Sequence, residues 1–155
     1  MGNFVFLDLD ADGLQDGGGE IGVNGVTVNL ISCTSTTVID SRVTASGGFY
    51  SFVGLIPGSY RVQFILPAGN AFSPQNVGGN EAIDSDANTT TGISDCVALG
   101  AGDVNTSVDA GVFASTTVGN FVFRDLNADG VQDGGAEVGI NGVTVDLLSL
   151  SLIHI

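Results

Sequence analysis

Residues 2–32 read GNFVFLDLDADGLQDGGGEIGVNGVTVNLIS, and residues 119–149 read GNFVFRDLNADGVQDGGAEVGINGVTVDLLS. Roughly three-quarters of these positions are identical, and most changes are conservative, such as Leu14 to Val131 and Ile21 to Val138. The offset of 117 residues is the size of a whole domain rather than of a short solenoid repeat. The chain therefore reads as a tandem array. A complete domain occupies 1–114, a linker 115–117, and the start of a second, truncated repeat 118–149. Residues 150–155 do not match the first copy's Cys33–Val38 and read as a tail foreign to the repeat. The alternative for the second copy is that its two strands complete another copy's sheet by strand addition.

Outward from this stretch, the pattern is that of short strands. Val26, Val28 and Leu30 alternate with Thr27 and Asn29, as do Tyr60, Val62 and Phe64 with Arg61 and Gln63. Strands are also expected at 3–7, 35–44, 49–53, 94–99 and 106–113, with loops at 67–80 and 84–92. Pro57-Gly58 suits the central pair of a type II turn. With 24 Gly and no sustained helical period, about seven such strands predict an all-β, Greek-key β-sandwich.

Charge narrows function. Seventeen acids face three bases (Arg42, Arg61 and Arg124) and no Lys, for a formal net charge of −14. Nucleic acid and anionic membrane surfaces both require cationic side chains and are excluded as partners. No apolar run approaches the roughly 18–20 residues of a membrane helix. The one His, His154, leaves no material for a His-based triad or zinc site. What the composition invites is a divalent cation.

Residues 8–16, DLDADGLQD, give that cation a place. Asp8, Asp10, Asp12 and Asp16 stand at loop positions 1, 3, 5 and 9, Gly13 stands at 6, and Leu14 offers its carbonyl at 7. This is the spacing of an EF-hand calcium loop, in which alternate residues of a curled segment turn oxygens toward one hard ion. The second copy keeps it as Asp125, Asn127, Asp129, Val131 and Asp133. One departure is that Gly19 occupies position 12, where a bidentate Glu belongs. Glu20, and Glu137 in the second copy, come one residue later and close the site only if the Gly-rich run bulges. The competing reading is a solvated acidic turn.

Asp84 and Asp86 form a second acidic stretch, either an exposed loop or a further metal site completed by Asp95, Asp103 or Asp109. Cys33 and Cys96 lie far apart at strand edges, and are either a disulfide or two separate buried thiols. Asn88-Thr89-Thr90 and Asn105-Thr106-Ser107 match the N-glycosylation triplet, a pattern frequent by chance.

Five ordered motifs carry a resemblance: GNFVFLDLDADGLQD, GVNGVTVNL, GGFYSFVGLIPGSYRVQF, DSDANTTTG and VDAGVF. Together they resemble the B domains of serine-aspartate-repeat surface proteins, relatives of the B-type collagen-adhesin (CnaB-like) domains. The resemblance implies a prealbumin-like or immunoglobulin-like sandwich, with calcium bound by Asp8, Asp10, Asp12, the Leu14 carbonyl, Asp16 and Glu20. It also implies a stalk that holds an adhesive region away from a cell wall. Asp84 and Asp86 match the family's DSD loop. The Lys–Asn isopeptide lock of many relatives is impossible here, because there is no Lys.

Three function classes compete on these grounds. The first is a calcium-stabilised structural spacer of an extracellular or cell-wall protein. Its partners are neighbouring repeats, with host protein or glycan engaged through other regions, and its signal and anchor lie outside this sequence. The second is a calcium-dependent carbohydrate- or protein-binding module, for which Phe49 and Phe72, if exposed, are the candidate aromatics. The third is an enzyme with paired carboxylates, disfavoured because the acids are spaced for one cation rather than for two opposed catalytic groups.

Overall fold

In the computed structural model, which describes residues 1–148, the two clearest apolar alternations both form strands. β2 (Thr27–Ser32) buries Val28 and Leu30, and β4 (Gly58–Ile65) buries Tyr60, Val62 and Phe64. They pair antiparallel, with Val28 opposite Phe64 and Leu30 opposite Val62, so their apolar residues share one face. β3 (Val38–Val43) and β6 (Val97–Leu99) complete a sheet of order β3-β2-β4-β6. A second sheet, of order β1-β7-β5, contains β1 (Val5–Leu7), β7 (Ala110–Ala114) and β5 (Asn70–Phe72). β1 and β7 run parallel, with Val5 beside Ala110 and Leu7 beside Val112. Among the described residues all seven elements are strands, in two sheets that form an all-β sandwich.

The chain divides into two compact units, Met1–Thr116 and Thr117–Ile155. In the first, Val5, Ala110 and Val112 of one sheet join Val28, Leu30, Val62 and Phe64 of the other in a single core. Each such side chain contributes roughly 1.5–3 kcal/mol by leaving water. Tyr50 packs edge-on against Phe52 and Phe64, at ring separations of 5.9 and 5.6 Å. Its hydroxyl donates to the Val108 carbonyl at 2.7 Å, so this buried polar atom is satisfied.

The sandwich is fastened at two places outside the core. Cys33, just after β2, is bonded to Cys96, just before β6; their Cα atoms are 6.0 Å apart and 63 residues separate them in sequence. These two strands flank β4, so the bond ties the sheet across its middle strand. At the other fastening, backbone meets backbone: Val5 N–H donates to the Gly48 carbonyl, and Val23 N–H donates to that of Val5. Gly22 is required there, since a Cβ on it would collide with the Gly47 carbonyl.

Several expectations are corrected. Residues 49–53 are not a strand and make only isolated bridges at Phe49. Their alternation is real, with Tyr50 and Phe52 buried and Ser51 and Val53 exposed, but it reflects burial without a continuous ladder. β5 lies within the stretch read as loop, being three residues long and too short for a periodic signal. Pro57-Gly58 does not form a type II turn: Gly58 lacks a positive φ and opens β4, and the positive φ in this stretch belongs to Gly54, at 70°.

The second unit forms neither of its two expected strands within 117–148, only the bridge Phe123↔Gly139, which matches Phe6↔Gly22 of the first. Val143, Val145 and Leu147 are exposed, whereas Val26, Val28 and Leu30 are fully buried. In the first unit β1 takes its ladder from β7, and β2 takes its from β3 and β4. Strand segments without such partners do not hold a sheet. The tail at 150–155 lies outside the described residues.

Candidate metal centre

The acidic loop begins where β1 ends. Asp8 is still tied to β7, its N–H donating to the Val112 carbonyl at 2.8 Å, and its side chain is buried. From there the chain curls around that carboxylate. Asp8 Oδ1 accepts the Ala11 N–H at 2.6 Å, and Oδ2 accepts the Gly13 N–H at 2.8 Å. The curl needs left-handed backbone at Ala11 (φ 59°) and Gly13 (φ 92°). Such a φ is uncommon for alanine, and the second copy repeats it at Ala128 (φ 60°).

Glu20 closes the loop from the other side. Its Oε1 accepts the Leu9 N–H at 3.2 Å, while Oε2 accepts those of Asp16 and Gly17, both at 2.9 Å. The Gly17–Glu20 turn that returns it is bonded from Glu20 N–H to the Gly17 carbonyl. The one-residue displacement from loop position 12 is thus absorbed by the glycine run. Asp8, Asp10 and Glu20 each offer a carboxylate oxygen within 4.8 Å of the others.

Electrostatics bears the marks of that crowding. Burial pushes the Asp8 carboxyl up, but the nearby Ser73 hydroxyl and the N–H groups of Gly13, Ala11 and Asp12 reverse this and leave it below the ordinary carboxylate range. Ser73 Oγ itself is buried and falls short of hydrogen-bond geometry. Asp10 is raised by desolvation and by the charges of Asp12, Asp8 and Glu20. Asp12 and Asp16 lie outside the three-carboxylate group; Asp12 Oδ1 instead accepts the Leu14 N–H at 2.8 Å. Among the described residues no hydrogen bond reaches the Leu14 carbonyl.

The donor set fits a hard cation. It is all oxygen, and Asp8 Oδ1, Asp8 Oδ2 and Glu20 Oε1, which accept one N–H each, retain a further lone pair, whereas Glu20 Oε2 is taken up by two. The backbone bonds to Asp8 and Glu20 orient these groups without exhausting them. In the second copy Asp125 and Glu137 accept the equivalent N–H groups, from Ala128, Gly130, Leu126 and Asp133. There, however, Asn127 Nδ2 donates to Asp129 and to Asp133, at 2.9 and 3.2 Å. An amide thus bridges acids that a cation would otherwise have to reconcile. Val131 occupies the Leu14 position, its N–H bonded to Asp129 Oδ1.

The second acidic stretch is brought against the first. Gln15 N–H donates to the Ile83 carbonyl and Ser85 N–H to that of Gly13, placing Asp84 opposite Leu14. Asp84 is buried with Oδ1 unpartnered, and burial followed by the charge of Glu81 raises its carboxyl. Asp86 N–H donates to the Asp109 carbonyl, and Asp86 Oδ2 accepts the Asp109 N–H at 2.7 Å. Burial and the charges of Asp84, Glu81 and Asp95 push Asp86 up to about 7, against that hydrogen bond. Asp109 is pushed to about 8 by burial and by Asp86; its Oδ1 accepts the Phe4 N–H, and its Oδ2 is buried without a partner. Asp103 lies apart, capping Gly100 N–H in its own turn, and Asp95 accepts from Asn76.

Of the aromatic candidates, Phe49 is 55% exposed and rests on Phe4 at a ring separation of 4.9 Å, next to Asn3 and Gln15. Phe72 packs against the core. Nothing in the residue spacing marks Glu20 and Asp8 as hubs for backbone N–H groups; the glycine run before Glu20 is the only hint.

Comparison with known proteins points to one family. The profile of the SdrD B-like domain matches residues 1–112 and again 116–153. The chain is 38% identical over 149 residues to serine-aspartate repeat-containing protein F of Staphylococcus epidermidis, covering 95% of this chain and 9% of that protein. It is 38% identical to serine-aspartate repeat-containing protein C of Staphylococcus aureus (strain Newman), again over 95% of this chain and 15% of the relative. To protein D of that strain it is 39% identical over 150 residues, 95% of this chain and 11% of the relative. The chain thus spans only a small part of the length of the curated relatives it matches.

Proposed function

This chain belongs to the SdrD B-like domain family, and from that premise we propose that it is a calcium-stiffened spacer in a repeat-built extracellular surface protein. The observation that carries the reading is the convergence of Asp8, Asp10 and Glu20 within 4.8 Å in a protein of net charge −14. Asp8, Asp10, Glu20 and the Leu14 carbonyl would hold the ion, with Asp12 and Asp16 as further carboxylates of the same loop. The ion would supply positive charge where these carboxylates repel one another. Asp84, Asp86 and Asp109, with orphaned buried oxygens on Asp84 and Asp109, are the best second location.

The surroundings agree with a mechanical, non-catalytic role. The Cys33–Cys96 disulfide suits an oxidising, extracellular compartment. The repeated profile match supports a stalk of neighbouring copies, with adhesion left to other regions. For a Kd near 10⁻⁴–10⁻⁵ M in millimolar calcium, linkage contributes about 1.5–3 kcal/mol. That is a sizeable share of a typical domain's roughly 5–15 kcal/mol.

The test is thermal unfolding of the chain in chelator and in millimolar calcium, beside an Asp8→Ala/Asp12→Ala variant. Calcium should raise the midpoint of the parent by several degrees and leave the variant unmoved. If the parent does not respond, the loop is a backbone staple and the calcium reading fails. One observation favours a second reading, a glycan- or protein-binding module: the exposed Phe49 lying on Phe4. Saturable glycan binding lost in Phe49→Ala would support it.

A further inference from the structure

Two open sheets leave β1, β5, β3 and β6 as edge strands. β1, β5 and β6 are three residues long each, whereas β3 has six. Its far side carries no strand among the described residues. It contains neither Pro nor Gly, and Val38, Ile39 and Val43 are 45%, 53% and 58% exposed. A long, apolar edge invites another strand, which is why short edges are the rule.

The ladder with β2 decides which backbone groups of β3 are free. Thr44 N–H donates to the Val26 carbonyl, so Thr27 and Val43 form a non-hydrogen-bonded pair and the pairs alternate from there. Asp40 and Arg42, opposite Leu30 and Val28, therefore turn their backbone groups toward β2. Ser41 and Val43 turn theirs to the open side. In the free chain Asp40 covers part of that side: its Oδ1 accepts the Ser41 N–H at 2.8 Å, and its Oδ2 pairs with the Arg42 guanidinium at 2.8 Å.

A lone charge on the core-facing side of an edge strand blocks pairing, because the incoming strand must desolvate it. Here two opposite charges stand two residues apart, and a second copy of the strand supplies each with a counterpart. An antiparallel pairing centred on Asp40 sets Asp40 against Asp40, and one centred on Arg42 sets Arg42 against Arg42, both with like charges directly opposite. Centred on Ser41, it sets each Asp40 against the other copy's Arg42 and each Val43 against the other copy's Ile39. We propose that β3 is a self-association edge, pairing with β3 of a second copy about a two-fold axis at Ser41. The Ser41 N–H then passes from Asp40 to the Ser41 carbonyl of the other copy, and Asp40 exchanges its own Arg42 for the other copy's, so no polar group is stranded. Arg42 and Arg61 are the only bases in Met1–Thr116, so this edge is one of few places where another copy meets a cation. The register skips Ile39 in a bulge that bends the start of the strand, which keeps the contact short and the dimer weak. The inference does not rest on the calcium reading.

The test is sedimentation velocity of the full chain from micromolar to millimolar concentration. The parent should pass from monomer to dimer and no further, as a two-fold contact closes on itself. Asp40→Arg alone and Arg42→Asp alone should each weaken dimerisation at least about tenfold, since two cross-strand pairs change from opposite to like charge. An equimolar mixture of the two variants should restore it to within a few-fold of the parent, because each position again faces its opposite. Circular dichroism checks that both variants keep the parent's fold. A parent that stays monomeric at millimolar concentration would overturn the proposal and leave the edge to an extended segment of another protein. Dimers that persist unchanged in both variants, or that fail to return in the mixture, would overturn it as well.

Discussion

Replacing Glu20 by Gln keeps the size of the side chain and removes its charge, and the structure sets the cost. Two carboxylate oxygens serve three N–H donors, from Leu9, Asp16 and Gly17. A glutamine has one accepting oxygen. If it stays with Asp16 and Gly17, the new NH₂ group faces the Leu9 N–H donor to donor; if it turns to Leu9, two donors are stranded. A bond to a charged acceptor is worth about 1.5–3 kcal/mol, so one lost bond and weakened remaining ones cost about 2 kcal/mol. For a unit the length of Met1–Thr116 this lowers Tm by about 8 °C, at roughly 4 °C per kcal/mol. That loss should be present in chelator. In millimolar calcium the gap should widen, because a ligand is weakened as well. Calorimetry of parent and variant under both conditions reads the two effects separately. Equal melting in chelator would refute the assignment of Glu20 as a loop hub. A full calcium increment in the variant would remove Glu20 from the ligand set while leaving the hub intact.

Two further outcomes are expected. Cys33→Ser/Cys96→Ser frees a loop closed across 63 residues and should cost about 4 kcal/mol on chain-entropy grounds, read as a lower urea midpoint; an unchanged midpoint would contradict this. In chelator, stability should fall between about pH 5 and pH 8.5. Asp86 and Asp109 carry folded pKa values of about 7 and about 8, above the ordinary 3.8, so the native state holds protons that the unfolded chain releases. Their contribution is complete at acid pH below the unfolded value and is lost as pH rises through the folded values. Asp109→Asn keeps an oxygen for the Phe4 N–H and removes the charge, so it should flatten the slope and stabilise the domain at the alkaline end. A flat profile in the parent would show that these carboxyls are not held neutral.

The sequence was most legible where side chains face one continuous neighbour. Val28, Leu30, Val62 and Phe64 alternate because β2 and β4 share a ladder along their length. It was least legible where the fold depends on who lies alongside. Residues 49–53 carry a strand's pattern but meet only scattered backbone, from the amino-terminal residues and from Ala45, and Asn70–Phe72 become a strand because β7 runs past them. At the site, spacing indicated the acids but not their partners. Asp109 gathers beside Asp86 only through a backbone pairing across 23 residues, and the Glu20 hub depends on a turn whose glycines carry no periodic signal.

The parallel β1–β7 pair has a mechanical consequence. The chain enters the first unit at the start of β1 and leaves it at the end of β7, and these two ends point in opposite directions along the same ladder. Tension applied to the two ends slides one strand along the other. It loads the bonds joining 4–8 to 110–112 together, whereas a hairpin pulled at its open end surrenders them one at a time. Should that clamp shear, the residues between Cys33 and Cys96 remain looped out of the line of force. The 63-residue span that the bond short-circuits would otherwise release about 210–230 Å of chain. Force would thus meet a stiff clamp first and a short tether behind it.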